Sequence, residues 1–377
     1  MKMNKTLFCF MFLFGYFLMS GHGQEYAVLT DSLKKMLSVG NHPGVAAMVA
    51  KDGEVLYAFY DGQALLHPKT DIDGNTRFRM ASVSKQVTAR AVYALIEAGR
   101  IRFDTRIGDY FDGLPARLAA IQVGHLLQHT SGISDYENLI PPDQTEQILD
   151  ADVLDLIRRA GDLYFEPGSR FRYSNTGYCL LALLVEKVGG KRFDSFVKEH
   201  LFLPRGINGA VVATPSSNIV DRAFGYHPGA SSSAFADQSV TSATQGDGGV
   251  YFSSLDFLTW SSSMLAHELQ TPAFRELFVN PDLLVKDVAH YHLGLFSLVD
   301  QQGGLHLFHS GESTGFRNVV YYDVENRMTV SVFSNRDDDL AATVFDCVMT
   351  AFGKKKLFDD RLKQSVVLWL SKVYQGE

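Results

Sequence analysis

Segments with the pattern of β-strands lie near both ends of the chain, and few occur in its middle. Residues 45–50 and 55–60 are strand-like and flank the turn sequence Lys51-Asp52-Gly53-Glu54, which predicts a tight hairpin. Strand signals return after residue 245, whereas helical and loop-forming segments dominate from about 100 to 240. We therefore expect an α+β fold, an α/β sandwich whose central antiparallel sheet is built from both chain ends, with an inserted, mostly helical region.

The periodicity predicts individual elements as well. The expected late strands cover residues 249–252, 292–299, 305–308, 319–323 and 328–333, and the expected helices cover residues 26–39, 121–128, 151–160, 178–188 and 340–352. A further helix follows Ser82 and ends near Gly99, which suits a left-handed cap. Residues 356–377 are expected to form a C-terminal tail with a surface helix over 358–374, for which the sequence suggests no function.

The first 23 residues differ from the rest of the chain. Lys2 and Lys5 precede an apolar run over 7–19, and small residues follow at 20–23, which is the organisation of a secretory signal peptide. The pattern predicts a periplasmic or secreted protein with no stable membrane span once the signal is removed; an uncleaved anchor is the alternative. The mature domain would then cover residues 24–355.

Composition narrows the range of partners. The chain has 377 residues, of which 46% are hydrophobic and 20% charged, with a formal net charge of -7, so a nucleic-acid partner has no electrostatic support. Cys179 and Cys347 lie in apolar runs and are expected in the core, although a disulfide between them stays open. His290-x-His292 is explained by strand alternation, so no metal or other cofactor is expected.

Ser82 and Lys85 are the first candidates for chemistry. Residues three apart share one face of a helix, so the two side chains can come within hydrogen-bond distance. Serine is a poor nucleophile until its hydroxyl proton is removed, and a neutral lysine can accept that proton. The spacing alone is weak, because it also occurs at Ser32/Lys35 and Ser195/Lys198. Other motifs in the chain are therefore needed to tell whether Ser82 and Lys85 are the catalytic pair.

Three other segments supply that context: a loop at 129–132 (His-Thr-Ser-Gly), a turn at 167–177 that presents Tyr173-x-Asn175, and a strand end with His309-Ser310-Gly311. Ser82-x-x-Lys85, Tyr173-x-Asn175 and His309-Ser310-Gly311, in this order, resemble the three motifs of the serine β-lactamase and penicillin-binding protein superfamily. The 129–132 loop and the residues that flank Tyr173-x-Asn175 look like its class C branch of β-lactamase-related serine hydrolases. The likeness covers most of residues 43–335.

The resemblance implies a multidomain β-lactamase-like fold and an acyl-enzyme on Ser82, with Lys85 and Tyr173 sharing the proton transfers. It also implies that Asn175 holds the substrate amide and the lysine, and that the strand end His309-Ser310-Gly311 borders the substrate. The oxyanion hole is expected from the backbone N–H groups of Ser82 and Glu312. Many relatives have lysine where this chain has His309, so recognition of a β-lactam carboxylate is in doubt.

The predicted activity is that of an exported serine hydrolase acting on a small peptide, amide or ester, in the manner of a D,D-peptidase, D-aminopeptidase or esterase. A true class C-type β-lactamase and a non-catalytic penicillin-binding-like sensor or scaffold are the alternatives. The partner is then a small molecule or peptide, for which cell-wall fragments are one source, and the oligomeric state stays open. Gly311-x-Ser313-x-Gly315 also matches the nucleophile elbow of α/β-hydrolases, which needs a helix after the serine and a histidine later in the chain. Here a strand-like segment follows Ser313 and no histidine comes later, so we reject the elbow.

Two further polar residues are weaker candidates. His129 is expected to hold its loop by hydrogen bonds rather than to act as a base. Asp247 lies before two glycines, where it either binds a substrate amine at the edge of the site or serves the turn itself.

Overall fold

The computed structural model describes residues 21–37, 41–229, 233–279, 285 and 289–376. Residues 1–20, which form most of the expected signal peptide, lie outside them. The fold is a mixed α and β structure with a large antiparallel sheet, as the sequence predicts.

The strands, numbered along the chain, are β1 (Val45–Lys51), β2 (Glu54–Asp61), β3 (Gln63–Leu65), β4 (Thr70–Asp71), β5 (Phe78–Arg79), β6 (Val211–Val212), β7 (Tyr226–His227), β8 (Ala234–Phe235), β9 (Val250–Phe252), β10 (Ala289–His292), β11 (Leu295–Val299), β12 (Leu305–Ser313), β13 (Phe316–Asp323) and β14 (Met328–Ser334). The helices are α1 (Gly21–Met36), α2 (Lys85–Glu97), α3 (Ala116–Ala119), α4 (Val123–Leu127), α5 (Asp150–Ala160), α6 (Asn175–Gly189), α7 (Phe193–Val197), α8 (Ser254–Ala266), α9 (Pro272–Val279), α10 (Leu340–Ala351), α11 (Lys355–Leu362) and α12 (Val366–Tyr374).

The central sheet joins the two ends of the chain. Its strand order is β10-β11-β12-β13-β14-β1-β2. On β1, Val45 lies opposite Ser334 of the last strand on one side and opposite Asp61 of its own hairpin partner on the other. The inner strands β1 and β14 are almost wholly buried; β1 is a continuous apolar run, whereas β14 interleaves its apolar residues with Thr329 and Ser331.

Helices cover both faces of this sheet. On one face α8 packs through Phe257 against Tyr322 and Phe333. On the other, Phe358 of α11 packs against Tyr321, the next residue along β13, whose side chain points the opposite way. The helical region between residues 100 and 240 packs against α2, so that α6 and α2 lie side by side and bring Asn175 next to Lys85.

One local prediction differs from the structure. The strand expected over 292–299 is a hairpin of β10 and β11, because Leu293 and Gly294 adopt the left-handed conformation and turn the chain. A Cβ at Gly294 would lie 2.4 Å from the backbone nitrogen of Gln86, so this turn also has no room for a side chain. Gly311-x-Ser313-x-Gly315 forms the hairpin between β12 and β13 and no helix follows it, in agreement with the rejection of an elbow.

The C-terminal tail is also not the single surface helix that was expected over 358–374. It forms α11 and α12, and α12 buries Val366, Trp369, Leu370 and Val373. Trp369 is 0% exposed, with ring centroids 5.4 Å from Phe296 and 5.9 Å from Phe308. Because these four residues follow the i, i+3, i+4, i+7 spacing of one helix face, α12 belongs to the hydrophobic core.

Three further observations concern earlier expectations. Cys179 and Cys347 are both free thiols, so they are not joined to each other. Within the described ranges, every helix is too short or too polar to span a bilayer. The same ranges contain no group of three His, Cys, Asp or Glu side chains arranged to hold a metal ion.

Candidate active site

Ser82 lies in a short 3-10 turn, Ala81–Ser84, that leads directly into α2. Ala81 has a φ of 48°, a left-handed conformation that costs a non-glycine residue roughly 1–2 kcal/mol. Its backbone turns the chain sharply, so that Ser82 is left half-buried at the start of a helix while its neighbours Val83 and Ser84 are buried. Strained residues of this kind are common at functional sites.

Lys85 is 0% exposed and lies one turn after Ser82. Its Nζ is 3.0 Å from Ser82 Oγ, 2.6 Å from Asn175 Oδ1 and 2.9 Å from the backbone oxygen of Asp247. Burial lowers the pKa of the amine from 10.5 to about 8, and nearby Asp247 only partly opposes this shift. Compared with free lysine, removing the proton from this amine costs roughly 3 kcal/mol less.

The two acceptors beside Lys85 are themselves held in place. Asn175, the first residue of α6, donates through Nδ2 to Glu137 Oε1 at 2.6 Å, which leaves its oxygen for the lysine. The segment at Asp247 is fixed by Asp150 of α5, whose carboxylate accepts the backbone N–H groups of residues 245 and 246 at 2.8 and 3.1 Å. Both acceptors of the lysine amine are therefore preorganised.

Asp247 also has a side-chain role at the site. One carboxylate oxygen, Oδ2, accepts a hydrogen bond from the hydroxyl of Tyr136 at 3.1 Å. The other, Oδ1, is buried and has no hydrogen-bond partner among the described residues. The residue is 6% exposed and lines the cavity beside Ser82, so it does more than serve its own turn.

Tyr173 stands beside both Lys85 and Ser82. Lys85 Nζ is 5.0 Å from the centroid of its ring. Burial raises the pKa of the Tyr173 phenol well above its usual value, the phenol of Tyr374 raises it further, and the facing Ser82 hydroxyl opposes the shift. Of the two groups expected to share the proton transfers, Lys85 is therefore the one that can be deprotonated near neutral pH.

His129 packs against the ring of Tyr173 and binds the backbone next to it. Its Nδ1 accepts the backbone N–H of Ser174 at 3.2 Å, and its ring centroid is 4.3 Å from that of Tyr173. Burial and the nearby Lys85 lower the pKa of His129 well below its usual value. These contacts agree with the expected structural role.

His309 is 0% exposed and makes no contact with solvent. Its Nδ1 lies against the carbonyl oxygen of Ser310, and its Nε2 is 3.3 Å from the hydroxyl of Tyr291. Burial and the charge of Lys85 lower the pKa of His309 to about 3, while the bond to Ser310 opposes this shift. The side chain is neutral at physiological pH, so it supplies no positive charge to a substrate.

The strand end after His309 lies directly over the nucleophile. A Cβ at Gly311 would be 2.3 Å from the carbonyl oxygen of Met80 and 3.1 Å from the backbone nitrogen of Ser82, so only glycine fits. The pairing of β12 with β11 ends at Phe308, and from there on the outer edge of β12 has no strand partner in the part of the chain that the structure describes. The N–H of Ser310 points to this edge, and because strand N–H groups alternate, that of Glu312 does as well.

A cavity of about 120 Å³ adjoins Ser82 on one side. Its polar lining includes Arg79, Glu137, Asp247, Glu312 and the loop segment 239–244. A larger cavity of about 520 Å³ lies elsewhere, near Asp300 and Lys354, and does not include the serine and lysine. The smaller cavity is therefore the candidate acyl pocket.

The structure thus brings together the eight residues predicted from the sequence, namely Ser82, Lys85, Tyr173, Asn175, His309, Ser310, Gly311 and Glu312. Three further residues lie at this site and were not predicted from the sequence: Tyr136, Glu137 and Tyr374. Tyr136 and Glu137 stand in a second Tyr-x-Asn match at 136–138, and that was the only local signal for this segment.

Comparison with known proteins gives the family. The sequence profile described as Beta-lactamase matches residues 30–346, which is most of the chain. The chain belongs to the beta-lactamase family. Penicillin-binding protein 4* of Bacillus subtilis (strain 168) is 28% identical over 308 residues, which are 78% of this chain and 68% of that protein.

Other proteins are similar to the chain at lower identity. A D-aminopeptidase of Cereibacter sphaeroides is 25% identical over 330 residues, 86% of this chain but 63% of the aminopeptidase, so the chain spans less than two thirds of its length. The crystal structure of a penicillin-binding protein from Bacillus halodurans superposes with a TM-score of 0.73 at 25% identity, covering 86% of this chain and 98% of the other. D-amino acid amidase from Ochrobactrum anthropi SV3 shares the fold, with a TM-score of 0.72 at 20% identity and coverage of 89% and 100%.

The family match, together with relatives such as the D-aminopeptidase, identifies the chain as a serine hydrolase. The family includes penicillin-binding proteins and D-aminopeptidases among the relatives found, so membership alone leaves the substrate open. The choice between substrate classes therefore depends on the geometry around Ser82.

Proposed function

We propose that the chain is an exported serine hydrolase that forms an acyl-enzyme on Ser82 and hydrolyses a small amide, peptide or ester. The observation that carries this proposal is the 3.0 Å contact between Lys85 Nζ and Ser82 Oγ, made by an amine whose pKa is lowered to about 8. A nucleophile within hydrogen-bond reach of a base is the arrangement that covalent catalysis requires. Export rests on the sequence of the first 23 residues.

In the proposed first step, neutral Lys85 accepts the proton of Ser82 while Oγ attacks the substrate carbonyl carbon. A neutral amine has two N–H donors and one lone pair. The donors match the fixed oxygens of Asn175 and Asp247, and the lone pair is then left for the serine. The three contacts of Lys85 therefore suit the neutral amine as well as the charged one.

In the second step the tetrahedral intermediate collapses and the bond from carbon to the leaving nitrogen or oxygen breaks. The leaving group takes up the proton that came from Ser82, passed from Lys85 through the neighbouring hydroxyl of Tyr173. A phenol that stays protonated at neutral pH suits this donor role. Water then attacks the acyl-enzyme and gives a proton to the same groups, which pass it to Ser82 Oγ as the bond from the acyl carbon to Oγ breaks and the acid leaves.

The oxyanion of each intermediate needs positioned donors. Ser82 precedes the first helical hydrogen bond of its turn, which runs from Val83 N–H to the Met80 oxygen, so its own N–H has no acceptor within that turn. The outward direction of the Glu312 N–H, on a strand that touches the Ser82 backbone at Gly311, supports it as the second donor.

The polar lining of the cavity favours a substrate with a free amino group. The unpartnered oxygen of Asp247 is available to a protonated amine. The carboxylates of Glu137 and Glu312 line the same cavity and add negative charge to it, although Glu137 already accepts from Asn175 and Glu312 pairs with Arg317. The cation that lines the cavity, Arg79, is 3% exposed and already donates to the Ser242 carbonyl oxygen at 2.7 Å. The D-aminopeptidases among the relatives support the same choice.

A β-lactamase or D,D-carboxypeptidase would instead have to bind a substrate carboxylate. His309, on the strand beside the nucleophile, is buried and neutral and cannot hold one by charge. We therefore place an amide or ester of an amino acid, with its amino group free, ahead of a β-lactam as the substrate.

The test is intact mass spectrometry of the protein after treatment with a fluorophosphonate and, separately, with a penicillin. A fluorophosphonate adduct on Ser82, absent in Ser82→Ala, would support the acyl-enzyme; no adduct on the native protein would refute it. A lasting penicillin adduct or rapid penicillin consumption would refute the preference against carboxylates. The amine preference is tested with an amino acid amide and its N-acetyl derivative, and equal kcat/KM for both would contradict it.

A further inference from the structure

The C-terminal helix α12 carries a side chain into the active site. Tyr374, its last residue, has its ring centroid 4.6 Å from that of Tyr173 and 5.9 Å from that of His309. The expected motifs of the site all lie between residues 82 and 312, so this tyrosine belongs to none of them.

The body of α12 fixes where Tyr374 lies. Trp369 and Leu370 are both 0% exposed, and the Ser365 hydroxyl caps the helix by accepting the N–H of Leu368 at 3.3 Å. A helix anchored at its start and along one face has little freedom at its last turn. The position of Tyr374 is therefore set by the core and not by a surface loop.

The hydroxyl of Tyr374 closes the open edge of β12. It receives hydrogen bonds from the Ser310 hydroxyl at 3.1 Å and from the Ser310 backbone N–H at 3.4 Å, and it lies 3.4 Å from the Ser310 carbonyl oxygen. It is also 3.3 Å from Nδ1 of His309. Polar groups on an unpaired strand edge need partners, and here one side chain supplies them for both the backbone and the hydroxyl of Ser310.

Tyr374 adjoins Tyr173 rather than the cavity beside Ser82. The cavity beside Ser82 is lined by Tyr136, Glu137 and the 239–244 loop, and neither Tyr173 nor Tyr374 is part of that lining. If the acyl group occupies this cavity, the leaving group must lie beside the group that protonates it, which is the hydroxyl of Tyr173. The ring of Tyr374 packs directly against the ring of Tyr173.

We infer that Tyr374 is a specificity-determining residue that limits the size of the leaving group. The inference rests on the proposed function, because it takes Ser82 as the nucleophile and Tyr173 as the proton donor. Small leaving groups, such as ammonia or a short alcohol, fit beside Tyr173 with α12 in place. A bulky amine or alcohol meets the ring of Tyr374.

The experiment compares substrates that share one acyl group and differ only in the leaving group, from methyl to naphthyl esters and from the primary amide to an anilide. In Tyr374→Ala, kcat/KM for the bulky members should rise relative to the small ones by about tenfold or more, the scale expected when a pocket wall is removed. Tyr374→Phe keeps the ring and should keep the native size preference. Leu368→Ala, on the same helix but 50% exposed, is the matched control and should behave like the native protein.

The outcomes separate this inference from the proposed function. Labelling of Ser82 by a fluorophosphonate in all four proteins shows that the nucleophile works; failure to label the native protein refutes the proposed function itself. If labelling is intact and Tyr374→Ala has the native size preference, the inference is wrong. It is also wrong if Tyr374→Phe relaxes the preference as far as Tyr374→Ala does, because the ring would then not be the barrier.

Discussion

The pH dependence of hydrolysis should follow the titration of Lys85. Its pKa is about 8 because the amine is buried, and only the neutral form can accept the proton of Ser82. The active fraction is then about one half at pH 8, about 9% at pH 7 and about 1% at pH 6, since each pKa unit is a tenfold change. With a neutral ester whose own charge does not change, kcat/KM should rise about fiftyfold from pH 6 to pH 8 and level off above pH 9.

Two variants identify the group that titrates. Lys85→Arg keeps the charge but cannot lose its proton, so it should lose at least ~10²-fold in kcat/KM and show no inflection near pH 8. His309→Gln should keep the inflection, because the pKa of His309 is about 3 and this residue does not titrate in the range. A profile that is flat between pH 6 and pH 9, or an inflection near 6.5, would refute Lys85 as the base.

Three other substitutions test the contacts described above. Tyr173→Phe should lower kcat/KM by at least ~10²-fold while leaving the fluorescence-monitored unfolding unchanged, and near-native activity would remove this hydroxyl from the mechanism. Gly311→Ala should lower kcat by about 10²-fold or more, because the new Cβ would push the strand away from Ser82 and displace an oxyanion donor; a fully active variant would contradict the assigned donors. Trp369→Ala should reduce the free energy of unfolding in urea by about 3–5 kcal/mol, and a change below about 1 kcal/mol would show that α12 is not part of the core.

The sheet and the main motifs could be predicted from the sequence because their signals are local. The buried strand β1 shows as an apolar run, β14 shows as apolar residues at the alternate positions 328, 330 and 332, and the hairpin between β1 and β2 shows as an Asp-Gly turn. Ser82 and Lys85 need only helical spacing to meet, and Tyr173-x-Asn175 needs only a helix start. In each case a few adjacent residues determine the geometry.

The roles of the lysine and the histidine could not be predicted in the same way, because burial decides them. The sequence alone leaves the proton transfers shared between Lys85 and Tyr173, whereas the same buried environment lowers the pKa of the amine and raises that of the phenol. The sequence likewise suggests a histidine of ordinary pKa at 309, whereas burial among aromatic rings and the charge of Lys85 lower its pKa to about 3 and keep it neutral at physiological pH.

The sequence of the C-terminal helix could have predicted that this helix is buried, but not where it docks. Residues 366, 369, 370 and 373 are apolar at the spacing of a buried face, and this pattern could have shown that the tail packs against the rest of the protein. The position of Tyr374 against Tyr173 depends on how α12 docks beside β12, and that depends on contacts with residues more than sixty positions earlier. Sequence patterns do not specify such docking.

The pairing of β1 with β14 has a consequence for the order of events during synthesis. Val45 and its partner Ser334 are separated by most of the polypeptide, so the central sheet cannot close until the ribosome has passed the last strand. Ser82 is made early, but β12, which must lie over it, emerges more than two hundred residues later. A growing chain therefore cannot assemble the pocket around its nucleophile, and hydrolytic activity can begin only after translation has delivered both halves of the sheet.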